Sequence, residues 1–189
     1  EFGQQVVSEM NRLGILIDLS HCGVRTTLEA IEHSEKPVAI THSNAAARFP
    51  HPRNKSDEAI KACAGRGGVI GAVSFPAMLT SHLPATLDDY VNTIDYLVEV
   101  AGIDHVGIGP DFMEEMPAEV AAVVLKGLPV DIVNFMQNIP PVQEFASAAD
   151  MPNVTARLLA RGYSAADTQK IMGGNWLRLY SEVWVPTSY

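Results

Sequence analysis

Cysteine, basic residues and long apolar runs are all scarce in this sequence, and each scarcity excludes something. Two cysteines in 189 residues, Cys22 and Cys63, cannot make a disulfide framework; both read as reduced thiols in or near a core. Thirteen Lys and Arg against 22 Asp and Glu leave a net charge of -9, the wrong sign for a protein that must neutralise phosphates. No nucleic-acid partner is expected. No apolar run approaches the roughly 20 residues that cross a bilayer, so no transmembrane segment is expected either. No basic n-region, apolar h-region and cleavage site open the chain, so secretion is not indicated and a soluble, cytoplasmic protein is the expectation. No Gly-x-Gly-x-x-Gly and no phosphate loop follows an apolar run, which weighs against a nucleotide fold.

What is present suits one core. Hydrophobic residues make up 47% and charged residues 19%, and the length fits a single domain over residues 1–189. Glu1-Phe2-Gly3 leads straight into an amphipathic pattern (Val6, Val7, Met10, Leu13) without a cap, so the expectation is a chain entered mid-domain. Short apolar runs then alternate with helical stretches. Strands are predicted at 14–20, 37–41, 67–75 and 105–109, and helices at 25–33, 56–64 and 87–100. Ser56 is the expected N-cap of the second of these helices, with Asp57 satisfying its first amides. Residues 110–152 hold no strand but two helices, near 118–125 and 130–137. So long an excursion predicts a loop or helical insertion over a site. Helices at 155–161, 164–172 and 176–184 close the chain. Buried-type strands alternating with helices mean α/β architecture around a parallel sheet. About four βα units could build a doubly wound sheet or part of a (β/α)₈ barrel, and the pattern alone does not choose.

Polar residues gather where strands end. The first predicted strand ends Asp18-Leu19-Ser20-His21, the second Thr41-His42-Ser43-Asn44, and the fourth Gly109-Pro110-Asp111. That edge of a parallel sheet is where ligands bind. Histidines on adjacent strand ends can share a metal ion, so His21 and His42 are candidate metal ligands. Asp111 can reach the same mouth as a further ligand or a general base. A Pro-punctuated basic loop follows His42, and a guanidinium fixed in it suits bidentate capture of a carboxylate. Arg48, His51 and Lys55 read as solvated members of that loop, and His33, His82 and His105 as structural. Met113 and Met116 are expected to pack under the excursion.

Six blocks carry a family resemblance. Gly14-Ile15-Leu16-Ile17-Asp18-Leu19-Ser20-His21, Thr41-His42-Ser43-Asn44-Ala45, Arg53-Asn54, Gly67-Gly68-Val69-Ile70-Gly71, Asp104 to Phe112 and Gly173-Gly174-Asn175-Trp176-Leu177-Arg178 resemble, in that order, the membrane (renal) dipeptidase family. The resemblance implies a metal-dependent hydrolase on a (β/α)₈ TIM barrel with two Zn²⁺ ions. This chain would be the C-terminal part of that barrel, about four βα units plus C-terminal helices. It further implies hydrolysis of dipeptides by a metal-activated water, with His21 and His42 as metal ligands. Arg53 would hold the substrate carboxylate, and Asp111 would be the catalytic residue beside the water. The expected partners are a small peptide substrate and either the N-terminal half of the same protein or a second copy.

The chain also departs from the family. The first-half His-x-Asp pair, the bridging Glu and a substrate histidine have no counterpart here. Met113-Glu114 stands where many members have Asp-Gly, and Pro76 falls where the mammalian enzyme has an aromatic substrate contact. These departures keep open a dipeptidase-like protein that binds or acts on a modified peptide or natural-product precursor.

Overall fold

A computed structural model describes residues 1–114 and 117–184. Three parallel strands lie at its centre, in the order β1 (Ala39–Ser43), β2 (Val69–Ala72) and β3 (Val106–Ile108). Ile40 is registered against Ile70 and Ile70 against Val106. The strands read as unbroken apolar runs because both faces are covered. Side chains alternate between faces. Ile40, Ile70 and Val106 therefore join the large core, with Ile31 of α2 (Val24–His33), Ile60 and Cys63 of α3 (Asp57–Gly65) and Val91, Ile94 and Leu97 of α4 (Leu87–Ala101). Ala39 and Val69 point the other way, to Leu179 and Val183 of the C-terminal helix Asn175–Val183. The amphipathic helix α1 (Phe2–Leu13) precedes them all and ends on Gly14 in the left-handed conformation, as a C-cap requires.

The predicted strand at 14–20 is not one. It meets the sheet through a single parallel bridge, Asp18 to Ala39, in which the Ala39 N–H donates to Ile17 O and the Leu19 N–H to Ala39 O, each at 2.9 Å. The next ladder bond would run from the Thr41 N–H to the Leu19 carbonyl. Instead, the Thr41 N–H donates to Asp18 Oδ1 at 3.0 Å and the Leu19 carbonyl accepts from the Cys22 N–H. The Asp18 carboxylate thus takes over a main-chain role, and the ladder stops there.

Ser56 caps α3 by accepting from the Ala59 N–H, but Asp57 does not serve the helix amides. Its Oδ2 accepts the Tyr96 hydroxyl at 2.9 Å instead. The excursion contains α5 (Ala118–Val124) and α6 (Val130–Asn138), then re-enters the core at Phe145, which packs on Tyr90 and Phe112. The helix expected at 155–161 begins earlier, as α7 (Met151–Arg161), with Pro152 in its first turn where no amide is missed. Next comes α8 (Ala165–Gln169), capped by Ser164, which runs through a π-turn (Lys170–Gly174) into the C-terminal helix, α9. Among the described residues no helix is long and apolar enough to cross a membrane.

Two glycines in the strands allow close approaches, one to an aromatic ring and one to the neighbouring strand. A Cβ on Gly107 would lie 2.3 Å from the Trp176 indole nitrogen, and one on Gly71 would lie 2.1 Å from the Thr41 carbonyl oxygen. Trp176 Nε1–H donates to Ile108 O at 3.0 Å, which seats the indole against the sheet.

Candidate functional site

His21 and His42 come together at the C-terminal edge of the sheet. Their Nε2 atoms are 2.9 Å apart and their ring centroids 5.0 Å. His42 is the penultimate residue of β1, whereas His21 follows the bridged segment, so the short Asp18–His21 turn brings the two rings together. Burial first, then the Arg53 guanidinium and the neighbouring His42 ring, lower the His21 pKa below the ordinary imidazole value; Asp111 and Asp18 oppose them. A neutral ring is the form that can ligate a metal. The 2.9 Å separation is less than twice the roughly 2.0–2.1 Å of a zinc–imidazole bond, so a single ion can touch both nitrogens. Among the described residues no group of three or more His, Cys, Asp or Glu could hold a metal, so the pair fits part of a coordination shell.

Under the histidines lies a polar cluster that the motif reading did not single out. Asp18 Oδ1 accepts the Ser20 N–H at 3.0 Å and the Ser20 hydroxyl at 2.6 Å, and Oδ2 accepts the Thr41 hydroxyl at 2.7 Å. Ser20 Oγ accepts the His42 N–H at 3.0 Å, and Thr41 Oγ1 lies 2.8 Å from His42 Nδ1. Burial would raise the Asp18 carboxyl, but the donors Ser20 and Thr41 outweigh it and hold the group below the usual carboxylate value. The available signal was local: Asp, Ser and Thr standing within three residues of a strand-end histidine.

Arg53 stands on the 45–55 loop, which is pinned at its base by the Ala45–Lys55 bridge. Two asparagines fix what surrounds it. Asn44 donates from its amide to the Val73 and Met78 carbonyls and accepts the Val73 N–H, while Asn54 Oδ1 accepts the Asn44 N–H. The Ser43 hydroxyl donates to the Arg53 carbonyl at 2.9 Å. The half-buried guanidinium donates from Nη2 to Ser20 O at 3.4 Å, and its buried Nε has no partner. Burial lowers the Arg53 pKa, and the negative charges of Asp111 and Asp18 resist that. Arg48 is exposed as expected, but Lys55 is not solvated. Its ammonium is buried and donates to the Cys22 carbonyl at 2.6 Å, tying the Arg53 loop to the turn that carries His21. His51 is half-buried and accepts the Arg53 N–H.

Asp111 follows β3 at a φ of 62°, a left-handed conformation that Asp tolerates better than most side chains. It opposes the lowering of both the His21 and the Arg53 pKa. Beside it opens a cavity of about 160 Å³, lined by Pro76, Phe112, Met113, Met136 and Ile139 among others. Met113 is half-exposed at its rim rather than packed away, and Met116 lies outside the described residues. Glu114 accepts the Ala148 N–H. His33, His82 and His105 are held by Ser8, by Thr80 with Asp89, and by the Gly68 carbonyl, each away from the site. Cys63 is buried, and burial pushes its thiol up to about 12.

This geometry agrees with what the chain is similar to. A profile of the family described as membrane dipeptidase (peptidase family M19) matches residues 1–124. Dipeptidase tcpJ of Claviceps purpurea (strain 20.1) is 34% identical over 183 residues, which is 96% of this chain and 37% of the relative. An uncharacterized protein in the pqqA 5' region of Klebsiella pneumoniae is 30% identical over 186 residues, 96% of this chain and 60% of the relative. An amidohydrolase from Pseudomonas aeruginosa superposes with a TM-score of 0.86 at 36% identity, covering 97% of this chain and 57% of that one. A metallo peptidase from Rhodobacter sphaeroides, liganded with a phosphinate mimic of L-Ala-D-Ala, gives 0.79 at 26% identity, covering 97% and 47%. The chain therefore spans between 37% and 60% of the length of these relatives. A mixed α/β fold with a parallel sheet, the resemblance to M19 dipeptidase structures and the profile match agree: the chain belongs to the membrane dipeptidase family, peptidase family M19.

Proposed function

We propose that this chain contributes half of the active site of a zinc-dependent dipeptidase, as the C-terminal part of a (β/α)₈ barrel. The observation that carries the reading is the convergence of His21 Nε2 and His42 Nε2, 2.9 Å apart, on the edge shared with Arg53 and Asp111. His21 and His42 would hold one zinc ion. When bound, the zinc pair implied by the family supplies a Lewis acid and a water of lowered pKa. Arg53 grips the C-terminal carboxylate of the dipeptide: its buried, unpartnered Nε is a donor short of an acceptor, which a carboxylate satisfies. Asp111 orients the attacking water and takes its proton. The cavity beside Asp111 is the size of one side chain and receives an apolar substrate side chain, with the 110–152 excursion as its outer wall.

Two features support the need for further strands. Among the described residues β3 pairs with β2 alone, and the Asp18 segment pairs with β1 alone, which leaves two open edges. The chain also spans at most 60% of the relatives compared above. The N-terminal half of the same protein, or a second copy, would cover those edges. Residues 1–189 expressed alone should then associate or aggregate, and a compact monomer with a cooperative melt and tight stoichiometric zinc would refute this. Assay of the complete protein on L,L- and L,D-dipeptides, with and without chelator, tests the activity; absence of chelator-sensitive hydrolysis would overturn it. A second reading, binding or processing of a modified peptide without ordinary hydrolysis, draws support from Pro76 and Met113 in the cavity wall. Absence of zinc from the complete protein would favour it.

A further inference from the structure

We propose that Asp18 sets the tautomer of His42 through the Thr41 hydroxyl, so that Nδ1 carries the proton and Nε2 offers its lone pair to the metal. The inference rests on the metal-site reading above, and it makes Asp18 a positioning residue that touches neither ion nor substrate.

Asp18 accepts from four donors: the Ser20 and Thr41 N–H groups and the Ser20 hydroxyl on Oδ1, and the Thr41 hydroxyl on Oδ2. A carboxyl group so surrounded is ionised and has no proton to give. Thr41 has a single hydroxyl proton. It lies 2.7 Å from an oxygen that can only accept, so the proton points at Asp18. Thr41 Oγ1 then has only lone pairs to present to His42 Nδ1, 2.8 Å away, and that contact is a hydrogen bond only if Nδ1 bears the hydrogen. A neutral imidazole has one N–H, so Nε2 is bare. Ser20 obeys the same count: its proton is committed to Asp18, and its oxygen accepts the His42 N–H. Both the ring and the backbone of His42 are therefore fixed by one carboxylate 24 residues earlier in the chain, acting through two hydroxyls. With the opposite tautomer, an N–H would point at the ion.

Asp18→Asn reverses the relay at nearly constant shape. The asparagine oxygen can still accept from the Ser20 and Thr41 donors, but its amide faces Thr41 Oγ1 as a donor. The Thr41 proton is then free to turn to His42 Nδ1, and the imidazole proton moves to Nε2. Nitrogen-15 spectra of the chelator-treated, histidine-labelled protein read this directly, with His42 identified by comparison with His42→Gln. The wild type should show a protonated Nδ1 and Asp18→Asn a protonated Nε2. Thr41→Ser should keep the wild-type pattern, and Thr41→Val should lose the Nδ1 preference. Zinc affinity should fall ten- to a hundredfold in Asp18→Asn and stay near wild type in Thr41→Ser. A wild-type His42 protonated at Nε2 would overturn the proposal, as would an unmoved proton in both Asp18→Asn and Thr41→Val. Should Asp18→Asn fail to fold, the wild-type and Thr41 spectra decide. A protonated Nδ1 in a protein that binds no zinc would sink the metal reading and leave the relay standing.

Discussion

The sheet edge around His42 and the helices that follow residue 117 are built in opposite ways. At the edge, buried side chains bond the backbone of distant segments: Asn44 holds Val73 and Met78, Lys55 holds Cys22, and Ser43 holds Arg53. Such bonds specify one arrangement, because a buried donor or acceptor left alone costs about 1–3 kcal/mol. The excursion instead shows water a row of apolar side chains, with Val123 at 71% and Val130 at 75% exposure and Val120, Ile132 and Phe135 also exposed. Polar bonds therefore set the geometry of the site, while the excursion contributes shape and apolar surface to the cavity wall. A site that holds two imidazoles within 3 Å needs the first kind of construction. An apolar cavity wall tolerates the second.

Four measurements would break or sharpen this contrast. The largest effect is expected at the edge: if the proposed metal site holds, each imidazole would be one of few ligands on its ion, and His21→Ala or His42→Ala in the complete protein should remove one zinc and nearly all turnover. Full zinc content in both variants would refute their assignment. Arg53→Lys comes next, since a point charge replaces a fork. The loss of a charge-assisted bond, about 1.5–3 kcal/mol, corresponds to roughly ten- to a hundredfold in kcat/KM. Equal losses on dipeptides and on their C-terminal amides would exclude a carboxylate contact. Asn44→Ala should cost about 1–3 kcal/mol in urea unfolding, because the Val73 N–H loses its partner in the core. Phe135→Ala, on the exposed side of the comparison, should stay within about 0.5 kcal/mol by the same measurement. If Asn44→Ala and Phe135→Ala proved equally mild, the distinction between the two regions would collapse.

The same division governs what could be read from sequence. Strand β1 and the helices on the large core announce themselves through apolar period, because burial on a face leaves a regular imprint. His42 at the end of that strand was visible for the same reason, and so was Arg53 in its proline-punctuated loop. The segment at 14–20 has the composition of a strand, yet it stops at one bridge because a side chain replaced a carbonyl, a choice made by Asp18 and Thr41 together. Lys55 was illegible for a similar cause. Lysine is ordinarily solvated, and the Cys22 carbonyl, 33 residues away in sequence, and the Thr27 hydroxyl make its burial tolerable. The early start of α7 was legible in principle, since Pro152 is a residue that favours a first helical turn.

Gly107 and Trp176 have a consequence for how this sequence can change over time. The smallest side chain at position 107 would run into the indole, whereas at position 71 it would meet the Thr41 main chain. The first obstacle can be removed by a second substitution and the other cannot. Position 107 can therefore drift only in company with position 176, through an intermediate that is worse than either end. Position 71 has no such compensating partner. Natural variation around this sheet should be epistatic at the first glycine and frozen at the second, and paired substitutions at 107 and 176 should rescue each other where single ones fail.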